Sequence, residues 1–151
     1  MICIMKRFFV ALFVLTLLCA TASAQSRALG LRVGGDIEAS YQHSFSDNFL
    51  EVDLGLAFIQ PAGFQISGIY DFVLATTESF SFYAGPGAQL NTWRNPDKER
   101  RIGLGIGGQV GAEYHFGTIP FNISLDWRPM WNFVGAYCSW GSLAASFRYR
   151  F

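Results

Sequence analysis

The sequence predicts an all-β fold, a transmembrane up-and-down antiparallel β-barrel of eight strands behind a cleaved signal peptide. Three observations carry this. Apolar and polar residues alternate with a period of two in run after run between Leu29 and Phe151, as in strands with one apolar face. No segment after residue 24 offers the run of about 18 apolar residues that a spanning helix requires. A closed sheet is the other structure that pairs every backbone N–H and C=O in lipid. The third observation is an export signal at the start of the chain.

Lys6 and Arg7 form a positive segment, Phe8 to Leu18 is apolar apart from Thr16, and Ala22-x-Ala24 fits a signal-peptidase site. The apolar run is shorter than the roughly 20 residues a membrane anchor needs. Lipidation at Cys19 is disfavoured, because the bulky Leu18 precedes it where a lipoprotein signal wants a small residue. The expected organisation is a signal peptide over 1–24 and a barrel over 25–151. The mature part keeps one cysteine, Cys138, and nine bases against eleven acids. One cysteine makes no internal disulfide, and a slightly acidic chain gives no electrostatic case for nucleic acid.

From Leu29 to Phe45 the odd positions are almost all apolar, while the even ones (Gly30, Arg32, Gly34, Asp36, Glu38, Ser40, Gln42, Ser44) are tiny or polar. After Ser46-Asp47-Asn48 the apolar positions are Leu50, Val52, Leu54, Leu56 and Phe58. Beyond Pro61-Ala62-Gly63 they are Phe64, Ile66, Tyr70 and Phe72, and then Phe80, Phe82 and Leu90. Trp93 to Arg101 is the longest hydrophilic stretch. Alternation returns in Ile102 to Tyr114, in Phe121 to Trp131 and in Leu143 to Phe151.

Those are seven clear runs, and single-chain bacterial barrels have an even number of strands. A two-residue hairpin at Gly34-Gly35 would divide the first run and supply the eighth, since Gly-Gly suits turns needing positive φ; the alternative is one long bent strand with a glycine bulge. The expected strands are 28–33, 36–43, 48–58, 63–74, 79–92, 101–115, 119–132 and 139–151. With both termini in the periplasm, the turns on that side are 44–47, 75–78 and 116–118, all short. The outer loops are 34–35, 59–62, 93–100 and 133–138, so the longest connections lie outside, as in outer-membrane barrels.

Three features orient the faces. The polar face is half glycine and serine, which suits a narrow eight-stranded lumen. Lysine is nearly absent, Lys98 being the sole one after the signal segment, whereas a solvated outer surface would carry many. The polar face also holds both signs: Arg32, Arg128, Arg148 and Arg150 with Asp36, Glu38, Glu51, Asp53, Asp71, Glu113 and Asp126. Buried charges need partners, and arginine matches carboxylates bidentately. Aromatics at strand ends (Tyr41, Trp93, Tyr114, Trp127, Trp131, Tyr149, Phe151) resemble interfacial girdles.

The terminal Phe147-Arg148-Tyr149-Arg150-Phe151 looks like the signal that barrel-assembly machinery reads in outer-membrane proteins. With Leu29-Gly-Leu-Arg-Val-Gly34, Ser40-Tyr-Gln-His43, Tyr83-Ala-Gly-Pro-Gly87, Gly107-Gly-Gln-Val-Gly111 and Leu125-Asp-Trp-Arg-Pro129, the chain resembles the small outer-membrane β-barrel domain family of the Bacteroidetes type. The resemblance implies the fold and an outer-membrane location, and no enzymatic activity.

Chemistry is sparse. Glu113 and His115 share the lumen face, with Asp126 on the next strand, which raises a lipid-active barrel enzyme. A nucleophile must lie within hydrogen-bond reach of its base, and a lumen network accounts for these residues better. His43, on the opposite face, gives no metal spacing with His115. Gly103-x-Gly-x-Gly107-Gly108 has no helix after it, so it lacks the mechanism of a phosphate loop. Pro86 and Pro129 fall within strands, each losing a ladder donor. No catalytic, cofactor or metal site is expected. The expected role is structural or interactive through short outer loops in outer-membrane lipid, with a narrow channel, a soluble lipocalin-like ligand barrel or the lipid-active enzyme as alternatives.

Overall fold

A computed structural model describes residues 26–57, 63–94, 99–134, 137–139 and 143–151. Residues 1–24 and the loop expected at 59–62 lie outside the described residues. The strands are β1 (Arg27–Val33), β2 (Ile37–Phe45), β3 (Asn48–Ala57), β4 (Gly63–Thr76), β5 (Phe80–Arg94), β6 (Arg100–His115), β7 (Phe121–Trp127), β8 (Met130–Asn132), β9 (Tyr137–Ser139) and β10 (Leu143–Arg150). Each pairs antiparallel with its neighbour, and β10 returns to β1, matching Ala28 with Arg150 and Val33 with Ala145. The sheet closes on itself.

Ten strands make eight staves. β7 and β8 are one stave: Val110 pairs with Trp127 and Gly107 with Met130, so the register is unchanged across Arg128-Pro129. The ladder skips where Pro129 has no N–H to give, while the Pro129 carbonyl still accepts from Gly108 N–H at 3.2 Å. β9 and β10 form the eighth stave, against β8 and β7 respectively. Pro86 is accommodated in the same way. The β4–β5 ladder is unpaired between Ile69↔Gly87 and Phe72↔Ala84, opposite Gly85-Pro86. A bulge at Leu74 then shifts the register by one.

The division of the first run is observed, but not as a two-residue hairpin. Val33 pairs with Ile37, leaving the three residues Gly34-Gly35-Asp36 in the turn, with Gly34 N–H donating to the Asp36 carbonyl at 3.0 Å. The reason is parity. A two-residue turn would pair Val33 with Asp36 and bring a carboxylate to the apolar face. An odd turn keeps odd residues outward on both strands. The next turn shows the converse: Phe45 pairs with Asn48 across Ser46-Asp47, Ser46 takes a φ of 55°, and the outward set changes from odd to even.

Two further expectations are corrected. The loop expected from Trp93 to Arg100 is shorter, because Trp93 pairs with Arg101 and Arg94 with Arg100. Cys138, expected in a loop, is in β9 opposite Trp131.

The faces separate as alternation requires. Outward side chains such as Leu31, Leu125 and Phe147 are more than half exposed, whereas Glu51, Asp53, Asp71 and Arg148 are 0 % exposed. Phe49, Ile69, Tyr83 and Met130 are apolar or aromatic yet point inward and are buried; Phe49 and Tyr83 meet edge to face at 5.0 Å. Outward rings cluster at the end bearing the termini, as in Phe80 against Tyr114 (4.9 Å) and Phe121 against Phe147 (5.0 Å). His43 belongs to this belt, 4.5 Å from the Phe45 ring.

Candidate functional site in the lumen

Three arginines cross the interior. Arg32 on β1 donates through Nε and Nη2 to Asp126 Oδ1 (2.9 and 2.6 Å) and through Nη1 to Glu38 Oε2 (2.7 Å). Gln65 Nε2 donates to the other Glu38 oxygen at 2.9 Å. Arg128 leaves the β7–β8 junction and donates to Gln109 Oε1 (2.6 Å), Ser67 Oγ (3.0 Å), Glu51 Oε1 (2.7 Å) and Asp53 Oδ2 (2.6 Å). Arg148 on β10 donates to Ser40 Oγ (2.9 Å), Ser124 Oγ (2.8 Å) and Glu51 Oε2 (2.7 Å), with a longer contact of 3.4 Å to Glu113 Oε2. Glu51 thus bridges two arginines.

Inward glycines make room for these and other large side chains. A Cβ on Gly55 would lie 3.0 Å from Glu38 Cγ, and one on Gly105 would lie 2.7 Å from Asn132 Oδ1. A Cβ on Gly111 would lie 2.5 Å from the Tyr83 ring. Gly105, within the glycine-rich stretch of β6, therefore serves lumen packing.

Of the charges expected inside, Arg32, Arg128, Arg148, Glu38, Glu51, Asp53, Glu113 and Asp126 join in ion pairs. Three do not. Asp71 accepts from Gln109 Nε2 at 3.2 Å and has an unpartnered Oδ1. Asp36 sits half-buried in the β1–β2 turn, where burial and then Glu38 raise its pKa above the usual carboxylate value despite Arg32. Arg150 donates to the Phe116 carbonyl at 3.1 Å. The amides and hydroxyls that complete the network, Ser40, Ser67, Gln109 and Ser124, stand on the polar face that alternation turns inward; alternation did not say which arginine each would meet.

At the end carrying the termini, Glu113 and His115 do come together, with Nε2 of His115 3.5 Å from Glu113 Oε1. Asp126 does not join them; its carboxylate is held by Arg32. Ser81, not singled out from sequence, places Oγ 3.0 Å from the same Nε2. Hydroxyl and acid thus share one ring nitrogen, while Nδ1 is buried without a partner. A base that takes a serine proton needs its acid on the other nitrogen, so this is not a catalytic triad. Ser81, Glu113 and His115 line an open cavity of about 480 Å³ with Asp47, Phe49 and Val73.

A closed eight-stave barrel with ion pairs inside and apolar side chains outside has the architecture of a transmembrane β-barrel, the reverse of a soluble barrel built around an apolar ligand. The crystal structure of Neisserial surface protein A shares the fold, with a TM-score of 0.59 at 16 % identity over 83 % of this chain and 93 % of that one. No protein-family profile matches the chain, and neither does any curated protein.

Proposed function

We propose that this protein is a small integral barrel of a bacterial outer membrane, exported by a signal peptide over 1–24, with a side-chain-filled lumen and a structural or interaction role through its short outer loops. The carrying observation is the inverted distribution: a wall of exposed Leu, Ile, Val and Phe around fully buried arginines and carboxylates. Such a wall is stable against lipid and a liability in water. The likeness in fold to Neisserial surface protein A supports the same reading, and so does the resemblance to the Bacteroidetes-type barrel domains. The last strand turns Leu143, Phe147 and Tyr149 outward, which fits delivery by barrel-assembly machinery. No catalytic role is assigned.

Heat-modifiable migration tests the reading. Outer-membrane fractions are expected to give one band unboiled and a shifted band after boiling, with the protein retained after alkaline carbonate washing. Release by carbonate, or an unshifted band, would overturn it. The lipid face has its own test. Leu125→Arg is expected to cost about 2–4 kcal/mol of folding stability in bilayers if Leu125 lies near the midplane. An unchanged unfolding midpoint would remove Leu125 from the lipid wall.

A further inference from the structure

We propose that the barrel thins the bilayer on one side, drawing headgroups and water down to the β1–β2 turn, while the lipid beside β5 and β6 keeps its full depth. This rests on the reading of the protein as an integral membrane barrel. The wall is uneven in height. Its strands lengthen round the barrel, from 7 residues in β1 and 9 in β2 to 15 in β5 and 16 in β6. A spanning strand needs about 9–11 residues, so β1 falls short. At about 3.3 Å per residue and a tilt of about 45°, β1 rises roughly 16 Å and β6 roughly 37 Å. The apolar band of such barrels is about 25 Å tall.

Charge marks the upper border of the apolar wall at two different heights. On the short side the wall ends at the exposed Val33 and Ile37, and Asp36 stands next to them in the turn. On the tall side it continues through Ile106 and Leu104 to Ile102, with the exposed Arg101–Glu99 pair beyond. Gly35 is as many residues from Arg27 as Ile106 is from Tyr114, so the two lie at similar heights above the rim carrying the termini. Yet Gly35 is in a turn beside a carboxylate, and Ile106 is within the wall. The backbone points the same way. Beyond Ala145, which faces Val33, the last stave leads on to β9, whose ladder runs to β8 alone among the described residues. The other edge of β9 overlooks the β1–β2 turn with no strand against it, and unpaired backbone groups are not tolerated in hydrocarbon. Water at this level satisfies both that edge and Asp36. A bilayer thins beside a wall shorter than its apolar core, and a longer wall can tilt instead. Tilting is opposed by the ring belt at the other end. It includes Tyr41 and His43 on the short side and Tyr114 on the tall side, and such rings anchor at the interface.

Spin labels on single cysteines read the depth, in Cys138→Ser protein reconstituted into dioleoyl phosphatidylcholine vesicles. One label is placed by Gly35→Cys, where a Cβ meets nothing within 4 Å, and one by Ile106→Cys. A water-soluble nickel relaxant is expected to reach the label at position 35 more than oxygen does, and the order is expected to reverse at position 106. Labels placed by His43→Cys and Tyr114→Cys are expected at equal depth. The gel shift and carbonate resistance of each labelled variant report separately on the integral barrel, so a label result in a shifted, resistant protein bears on the thinning alone. Oxygen favoured at position 35 as at 106 would overturn the proposal. So would a label at position 43 deeper in lipid than that at 114, the mark of a tilted barrel.

Discussion

Replacing Arg128 by methionine is expected to lower the folding stability of the barrel by about 3–5 kcal/mol, the cost of breaking a buried ion pair from one side. The side chain is 2 % exposed. It holds Glu51 and Asp53 at 2.7 and 2.6 Å, and Glu38 lies 3.6 Å away. Methionine has a similar reach and no charge, so packing is largely kept while the carboxylates lose their counter-ion. Adding Glu51→Gln and Asp53→Asn to Arg128→Met is expected to restore part of the loss, because the like charges are then gone. Arg101→Ala is the surface control. Arg101 meets Glu99 at 3.6 Å with both side chains more than half exposed, and such pairs contribute at most about 1 kcal/mol. Urea unfolding in lipid vesicles, followed by tryptophan emission and gel mobility, separates the cases. Equal midpoints for Arg128→Met and Arg101→Ala would show that the network does not hold the barrel together.

Gly30→Ala is expected to have an effect of similar size, because it strikes the closing seam. Gly30 faces Arg148 across β1–β10 and Ser40 across β1–β2. A Cβ there would run into the Phe147 carbonyl oxygen and the Arg148 Cα. Backbone cannot rotate away as a flexible side chain can, and the seam has only the matched positions from Ala28 to Val33 to tolerate the displacement. The expected loss is at least about 3 kcal/mol, the upper end for overpacking, seen as a sharply reduced heat-modifiable band after refolding. Gly68→Ala is the matched comparison. Nothing lies within 4 Å of a Cβ at Gly68, so alanine there is expected to be neutral or to stabilise by about 0.5–1 kcal/mol through reduced chain entropy. A normal folded yield for Gly30→Ala would show that the seam can yield by the width of a methyl group.

Much of the architecture was legible in the chain. The parity of Leu29 to Phe45 assigned inside and outside correctly on β1 and β2, and the same reading held on the other staves, down to Asp126 and Arg128 inward with Leu125 and Trp127 outward. Even the turn at Gly34 was implicit in it. An unbroken odd-position pattern across a hairpin requires an odd number of turn residues, and the Gly-Gly pair drew attention to two. Phe49 and Tyr83 were harder, because their residue types are those of the outer wall and only parity places them in the lumen. The hydroxyl of Ser81 gave no signal that it would meet His115, since 34 residues separate them.

What the sequence determined by itself is the direction in which each side chain points. A strand's pleat turns alternate residues to opposite faces, so a local pattern is enough to set an apolar wall against a polar lumen and to place the breaks between staves. Only the tertiary structure decided which charges meet. Arg32 finds Asp126 across 94 residues and Arg148 finds Glu51 across 97. These meetings depend on how far each strand is staggered against the next around a closed ring. Every turn length contributes to that stagger, as do the bulge at Leu74 and the skipped ladder bonds beside Pro86 and Pro129. No short stretch of sequence contains that sum.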